Sequence, residues 1–578
     1  MKKIIKYLFL LTGGSFILAS CNDFLDREPL DSVTPDNFFF TENDLAAYAV
    51  KHYNFTTHEG FNAGIWRNDN ATDNQAATDY DKKWIPSQWK VPEAYDNPAS
   101  NDPWYFSAIR EANYFLETVV PRFEKGEIEG SETNIKHYIG EMYFLRAKNY
   151  LSKLETFGDF PIIKNTLPDE SASLIQASKR EPRHKVARFI LEDLDLAIGL
   201  LTNTISGGKN RITKNAALLL KSRAALFEAS WLTYHKGTAL VPGGPGWPGK
   251  AEDIADFNID TEIAFFLKEA KAAAKEVIGN AALVQNTAKD CMDETVKTDE
   301  DKYKMSNPYF AQFSANSLEG YSEILMWRAY NLLDYKIVHS APFYIRVGGN
   351  TGFTRQYVES FLCRDGKPIY ATDQYKGDES LSDVRKNRDL RLQLFLMTSG
   401  ETLSPNVMNG TPDLLPEVPQ LLDITEKRCV TGYQVRKGLS GNWYRDGNTA
   451  IEGCPVYRVA EAYLNYIEAD CMEHNGTSIG SEAAGYWGDL RERAGLPRDY
   501  TVTVNNTDLS KELDWAVYSA GKTVSPLLYN IRRERRCELL AEGLRMLDLK
   551  RWRALDQVKQ FVIEGVNLWE SDLKDKYM

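Results

Sequence analysis

The sequence predicts a mainly α protein: a tetratricopeptide-like helical scaffold with a loop-rich, partly β irregular region. Three observations carry this prediction. Apolar residues recur at helical spacing in three neighbouring stretches between 135 and 230, the period is lost from 291 to 450, and helical stripes return afterwards.

Residues 135–157 place Ile135, Tyr138, Ile139, Met142, Leu145, Tyr150, Leu151, Leu154 and Phe157 mostly three and four apart, which lines one face of a helix. Gly158-Asp159-Phe160-Pro161 stops it, because proline lacks a donor and restricts the residue before it. A second stripe spans 184–201 (Val186, Phe189, Ile190, Leu194, Ala197, Ile198, Leu201), and a third starts at the cap Thr213 and carries Ala216, Ala217, Leu220, Ala224 and Phe227. Each stripe is too narrow to be stable alone, so the helices must stack to bury it. The exact repeat signature is absent, so the expectation is tetratricopeptide-like and not a regular array. A Gly/Pro loop over 236–260 follows, then a helix from Thr261 to Ile278. Its Gly244-Pro245-Gly246-Trp247-Pro248-Gly249-Lys250 is no phosphate loop, since two prolines delete donors and Ala251 offers no hydroxyl. The irregular middle has β-like runs and turns such as Arg364-Asp365-Gly366. Further helices are expected at Tyr457 to Met472, Gly480 to Ala494, and Pro526 to Leu549 with Ser525 as cap.

The amino terminus reads as an address. Lys2, Lys3 and Lys6 precede apolar Leu8 to Leu11 and Phe16 to Leu18, then small Ala19 and Ser20, the order of a secretory signal over residues 1–20. Broken by Thr12, Gly13, Gly14 and Ser15, the run falls short of the ~20 apolar residues of a spanning helix. Leu18-Ala19-Ser20-Cys21 resembles the bacterial lipobox, which implies cleavage before Cys21, lipidation of its sulfur and acylation of its new amine by palmitate-type chains. Two or three acyl chains, at ~0.8 kcal/mol per buried methylene, make such attachment durable. Asp23 and Asp26 resemble the acidic signal that sends Bacteroidota lipoproteins to the outer face of the outer membrane.

Composition narrows the function classes. The formal charge of −12 becomes more negative when the three signal-segment lysines leave, which gives no electrostatic case for nucleic acid or an anionic lipid surface. The cysteines after Cys21, at 291, 363, 429, 454, 471 and 537, are widely spaced and most of them read as buried small hydrophobes, and the histidines are scattered singly, so no zinc pattern appears. Arg532-Arg533-Glu534-Arg535-Arg536 reads as scaffold charge: Glu534, Glu538 and Glu542 lie four apart, and Arg535 precedes Glu538 by three, so pairing along the helix is expected.

The order of several segments resembles the SusD/RagB family of outer-membrane lipoproteins. The lipobox, DNFFFTENDLAAYAVKHYN (36–54), YFLRAKNYLSKLETFGDFPI (143–162), GGKNRITKNAALLLKSRAALFEAS (207–230), PVYRVAEAYLNYIEAD (455–470) and NIRRERRCELLAEGLRMLDLKRW (530–552) carry the match over nearly the whole chain. The resemblance implies an N-terminal helical region over 21–235, a C-terminal region over 261–578 with a loop-rich ligand face, and a SusC-like TonB-dependent transporter as partner. It implies glycan capture, or peptide capture in some members, without catalysis. The run Val358 to Gly366 is similar to the family's aromatic–x–x–Asp-Gly turn and is read as structural.

For a ligand site, 61–106 is the most informative stretch. It sets Trp66, Trp84, Trp89 and Trp104 among Arg67, Asn68, Asp69 and Asp73 without helical or strand period. A sugar offers an apolar C–H face and a rim of hydroxyls, and so fits flat rings beside planar polar groups. The alternative is that the tryptophans pin a long loop to the helices beneath. Trp327 and Arg346 join the candidates because the resemblance places ligand contacts near them. The expectation is therefore ligand contact at Trp66, Asn68, Asp69, Asp73, Trp84, Trp89, Trp104, Trp327 and Arg346, lipidation at Cys21, no catalytic residue, no metal ligand and no cofactor, with a structural calcium ion left open. A surface glycoside hydrolase stays as a rival class; no GxSxG or HExxH motif supports a hydrolase, and carboxylates are too numerous for the sequence to single out an acid and base pair.

Overall fold

The structure is a computed structural model that describes residues 38–79, 104–287, 307–333, 336–398, 402–404, 413–414, 419–440, 448–556, 558 and 562–578. Cys21, Trp84, Trp89 and Cys291 lie outside the described residues. Helices α1 (Glu42–Lys51), α2 (Ser107–Glu124), α3 (Glu132–Phe157), α4 (Ser171–Ala177), α5 (Arg183–Leu200), α6 (Lys214–His235) and α7 (Ile259–Asn280) form the first half. α2 packs on α3, α3 on α5, α5 on α6 and α6 on α7, the stacking that the narrow stripes require. Thr213 caps α6 by accepting the Ala216 N–H, and Gly158, at φ +71°, ends α3. Gly140 lets α3 and α5 approach, since a Cβ there would stand 3.0 Å from Leu201 and 3.3 Å from the Ala197 carbonyl. Three of these helices, α1, α2 and the short α4, were not read from sequence. In α1 and α2 the stripes are interrupted by polar residues, among them Asn113, which the fold buries.

The second half is irregular where expected. It contains short helices α8 (Pro308–Ala311), α9 (Ala341–Val347), α10 (Arg355–Ser360), α11 (Leu381–Arg385) and α12 (Leu390–Phe395). Helices α13 (Ala460–Glu473), α14 (Ser481–Arg493), α15 (Thr501–Asn505), α16 (Pro526–Glu538), α17 (Arg545–Arg551) and α18 (Lys574–Tyr577) follow. Two-stranded antiparallel pairs tie distant segments: β1 (Gln75–Ala77) to β3 (Thr351–Phe353), and β2 (Ile324–Arg328) to β6 (Cys454–Arg458). The pairs β4 (Thr402–Ser404) with β5 (Asp413–Leu414) and β7 (Tyr518–Ser519) with β8 (Lys522–Thr523) are local. α13 packs on α7 and so closes the helical stack onto the C-terminal half. One apolar core runs through the stack and into α13, and a second, with Trp66, Tyr309, Phe313, Tyr357, Phe395 and Tyr433, lies under the irregular half.

Three sequence expectations need correction. The helix expected from Tyr457 starts at Ala460, because residues 454–458 pair with β2. The single helix expected from Pro526 to Leu549 is two: Ala541 (φ +59°) and Gly543 (φ +80°) turn the chain between α16 and α17. The charges of α16 do not pair along their own helix. Glu538 accepts from Arg458 at 2.7 Å, Arg493 at 2.6 Å and Arg391 at 3.2 Å, and Arg535 reaches Asp548 at 2.8 Å. Glu323 accepts from the same Arg458 and Arg493 at 2.7 and 2.5 Å. These groups are buried, so a helical repeat of opposite charges served a tertiary lattice and not a solvated face.

The three guanidiniums hold the Glu538 carboxyl well below the usual carboxylate range despite burial. Glu538→Gln keeps the shape but leaves buried cations short of charge. It should lower unfolding free energy by about 3–5 kcal/mol, the cost of breaking a buried pair, read from denaturant midpoints at unchanged slope.

Candidate ligand face

The site is built on a turn that its neighbours hold fixed. In the 3₁₀ turn Gly64–Arg67, Asn62 accepts the Gly64 N–H at 2.7 Å and His58 Nδ1 accepts the Ile65 N–H at 3.2 Å. Gly64 has φ +61°, and a Cβ there would lie 2.1 Å from His58 Nδ1, so only glycine fits. Tyr330 donates to the His58 carbonyl at 2.8 Å, and burial, with His339 beside it, pulls the His58 pKa well below its ordinary value.

The predicted residues then separate. Trp66 is 1% exposed, edge-on to Phe313 and under Lys437 and Gly438, where a Cβ would stand 2.0 Å from its Nε1. It pins the loop, the alternative weighed from sequence. Asp73 is buried between Arg545 (2.8 and 2.7 Å) and Arg536 (3.2 Å), with Asp514 bonded to the same two arginines. Asp69 is buried and accepts from Asn74 at 3.0 Å. Its carboxyl is raised to about 6, because desolvation outweighs the Asn74 bond and the Arg545 charge. As placed, these three side chains are closed to a surface ligand.

Asn68 is exposed and borders a cavity of about 300 Å³ between the 54–68 segment, α3 and α6. Trp327 is buried against Leu318, donates to Glu319 at 3.1 Å and abuts Gly453, in a cluster separate from Trp66. Trp104 sits at the far end of α3 among Phe106, Phe157 and Phe160, under Arg180. Trp84 and Trp89 fall outside the described residues.

Arg346, on α9, remains half-exposed beside the turn, and α9 packs against Gly64–Arg67. Gln434 donates to the Ile345 and Arg346 carbonyls at 2.8 and 3.0 Å and so fixes the end of α9. The same helix presents Phe343 and Tyr344, edge to face at 5.3 Å, with the Arg346 guanidinium 5.8 Å from the Phe343 ring. Burial and the Glu426 charge raise the Tyr344 pKa, and the charge of the exposed Arg67 opposes them more weakly. Phe61, 69% exposed, belongs to the loop entering the turn. Flat rings beside guanidinium donors and a carboxylate acceptor suit the apolar face and hydroxyl rim of a sugar. Sequence reasoning passed over Phe61, Phe343 and Tyr344 because neither an aperiodic loop nor a short helix without period gives a sign of which rings stay exposed.

Among the described residues no group of three or more His, Cys, Asp or Glu side chains is placed to hold a metal ion. Five cysteines, Cys363, Cys429, Cys454, Cys471 and Cys537, are buried free thiols, and burial raises each pKa. No helix among the described residues is long and apolar enough to cross a membrane.

Stacked helical pairs beneath a loop-borne aromatic face define the class of protein, and comparison gives its family. A model of the SusD family matches residues 297–575, and one described as starch-binding associating with outer membrane matches residues 23–226. The chain belongs to the SusD/RagB family. It is 27% identical to SusD-like protein P2 of Formosa agariphila, over 94% of this chain and 89% of that one. Two Bacteroides fragilis structures share the fold: a SusD-like carbohydrate binding protein (TM-score 0.62, 18% identity, 93% and 91% of the two chains) and a SusD-like protein (TM-score 0.60, 22% identity, 92% and 89%).

Asp69 supplies a pH test. Its folded-state pKa of about 6 lies above its ordinary value of 3.8, so the folded state binds the extra proton. That contribution is complete below the ordinary value and is lost as pH rises through about 6. Asp69→Asn removes the titration, so the variant should gain stability relative to the parent between pH 4 and pH 7, measured by denaturant midpoints; a constant difference would contradict it.

Proposed function

We propose that the protein is a lipid-anchored, cell-surface carbohydrate-binding protein that captures oligosaccharides and delivers them to a SusC-like TonB-dependent transporter. The observation that carries this reading is the face at Arg67, Phe343, Tyr344 and Arg346, on a chain whose N-terminal half matches the starch-binding, outer-membrane-associating model. The description of the Bacteroides fragilis relative as carbohydrate binding supports the same ligand class. Rings that are half-buried before the ligand arrives lose little freedom on binding, and repeated weak contacts along a polymer add through effective concentration. Binding without turnover is the role assigned; peptide capture by the same face is the alternative.

The double variant Arg67→Ala, Tyr344→Ala should be retarded at least about tenfold less in starch or xyloglucan affinity gels, the loss of one stacking and one charged contact, with an unchanged melting temperature. Retardation equal to the parent's would remove this face, and calorimetric binding of oligopeptides with no response to glycans would decide for peptide capture. For the anchor, Cys21→Ala should abolish incorporation of labelled fatty acid and release the chain from the membrane fraction. Unchanged fractionation would overturn lipid attachment at Cys21.

A further inference from the structure

A second cleft, of about 540 Å³, opens where the end of α3, the start of α5 and the Gly/Pro loop meet. It shares no residue with the face at Arg67 and Arg346. The free platform in it is Trp247, partly exposed, whose indole N–H donates to Asp159 Oδ2 at 2.7 Å. Gly249 closes against that ring so tightly that a Cβ would lie 2.2 Å from it. Asp159 is held in turn, since its Oδ1 accepts the Arg183 backbone N–H at 2.8 Å.

Arg183 is the built polar group. It is 2% exposed, stacked 4.2 Å from the Trp231 ring, and its Nε and Nη2 are spent on Glu228 at 3.0 and 2.8 Å. Its Nη1 takes no part in those bonds and lies on the cleft wall, 3.2 Å from the Cβ position of Gly158. Glu155 lines the same cleft as well as the cavity beside Asn68, and the charges of Arg223, Lys148 and Lys550 act on its carboxyl. Burial raises its carboxyl to about 7. Lys179 pairs with Asp253 at 2.5 Å, Arg183 with Glu228 at 2.8 Å and Lys250 with Glu252 at 3.4 Å, while Arg180 stacks on Trp104 and the wall adds the acids Asp159 and Glu155, so no net positive charge selects an anion. A wholly apolar occupant would strand Nη1 and Glu155 out of water, which is costly. A group with an apolar face and a rim of hydroxyls satisfies both.

We propose that this cleft is a second saccharide site, taking one or two neutral sugar rings with the C–H face on Trp247 and hydroxyls bonded to Arg183 Nη1 and Glu155. The sugar class rests on the carbohydrate-binding reading above; the site does not. Two sites on one chain would hold a polymer by effective concentration where each alone binds weakly.

The test uses the whole chain labelled with 5-fluorotryptophan, the Trp247 fluorine signal being assigned by its loss in Trp247→Phe, and maltotriose and cellotriose as probes at millimolar concentration. The Trp247 signal should shift saturably with at least one trisaccharide, and should do so equally in the Arg67→Ala, Tyr344→Ala variant. Measured at pH 8, above the Glu155 pKa of about 7, Glu155→Gln should weaken the response about tenfold, the loss of a charged acceptor. A Trp247 signal unmoved by both sugars overturns the second site. If affinity-gel retardation persists in that case, only this site falls; if retardation is absent too, the carbohydrate reading falls with it.

Discussion

Bidentate pairing of arginine with carboxylate across elements is the constraint on which this molecule depends. Arg146 holds Asp193 between α3 and α5 at 2.8 and 2.7 Å, Arg183 holds Glu228 between α5 and α6, and Arg223 holds Glu461 between α6 and α13 at 2.7 and 2.6 Å. Arg551 then holds Glu468 between α17 and α13 at 2.5 and 2.6 Å. The planar fork of arginine meets a carboxylate in one geometry, and a buried charge without its partner is expensive. Apolar stripes tolerate sliding of one helix on another. A charged fork does not, so the pairs set the register in which the stripes meet.

The same constraint reaches the ligand face. Asp73 ends the loop that begins at the Gly64–Arg67 turn, and its bonds to Arg536 and Arg545 clamp that loop to α16 and α17. Gly543 continues the clamp, since a Cβ there would lie 2.7 Å from Asn68. With β1 paired to β3, the turn, α9 and the C-terminal helices become one rigid support. Exposed rings on such a support are presented in a fixed arrangement, as binding loops on a stiff scaffold commonly are. The residues richest in chemistry in the sequence, Asp69 and Asp73, are spent on building that support.

Distance from the family's other members is consistent with this division of labour. At 18% and 22% identity the two Bacteroides fragilis structures retain the fold, while the ring-bearing surface is carried by short helices and loops whose length and composition are free to vary. Helix stacking needs only stripes and forks. A ligand face needs particular rings in particular places.

By itself the sequence determined the helical scaffold: α3, α5, α6, α7 and α14 lie where the apolar period put them, because a stripe at three-and-four spacing can be buried in only one secondary structure. It also determined that the α16 arginines are scaffold and that the cysteines after Cys21 within the described residues are interior thiols. Tertiary structure alone decided which partner each charge takes and which ring reaches solvent. Trp66 and Phe61 stand five residues apart in one aperiodic loop, yet one is sealed and the other bare. The reason is that burial in such a loop is set by what arrives from elsewhere in the chain, here Gly438, Phe313 and Lys437, and no local pattern encodes an approach across several hundred residues.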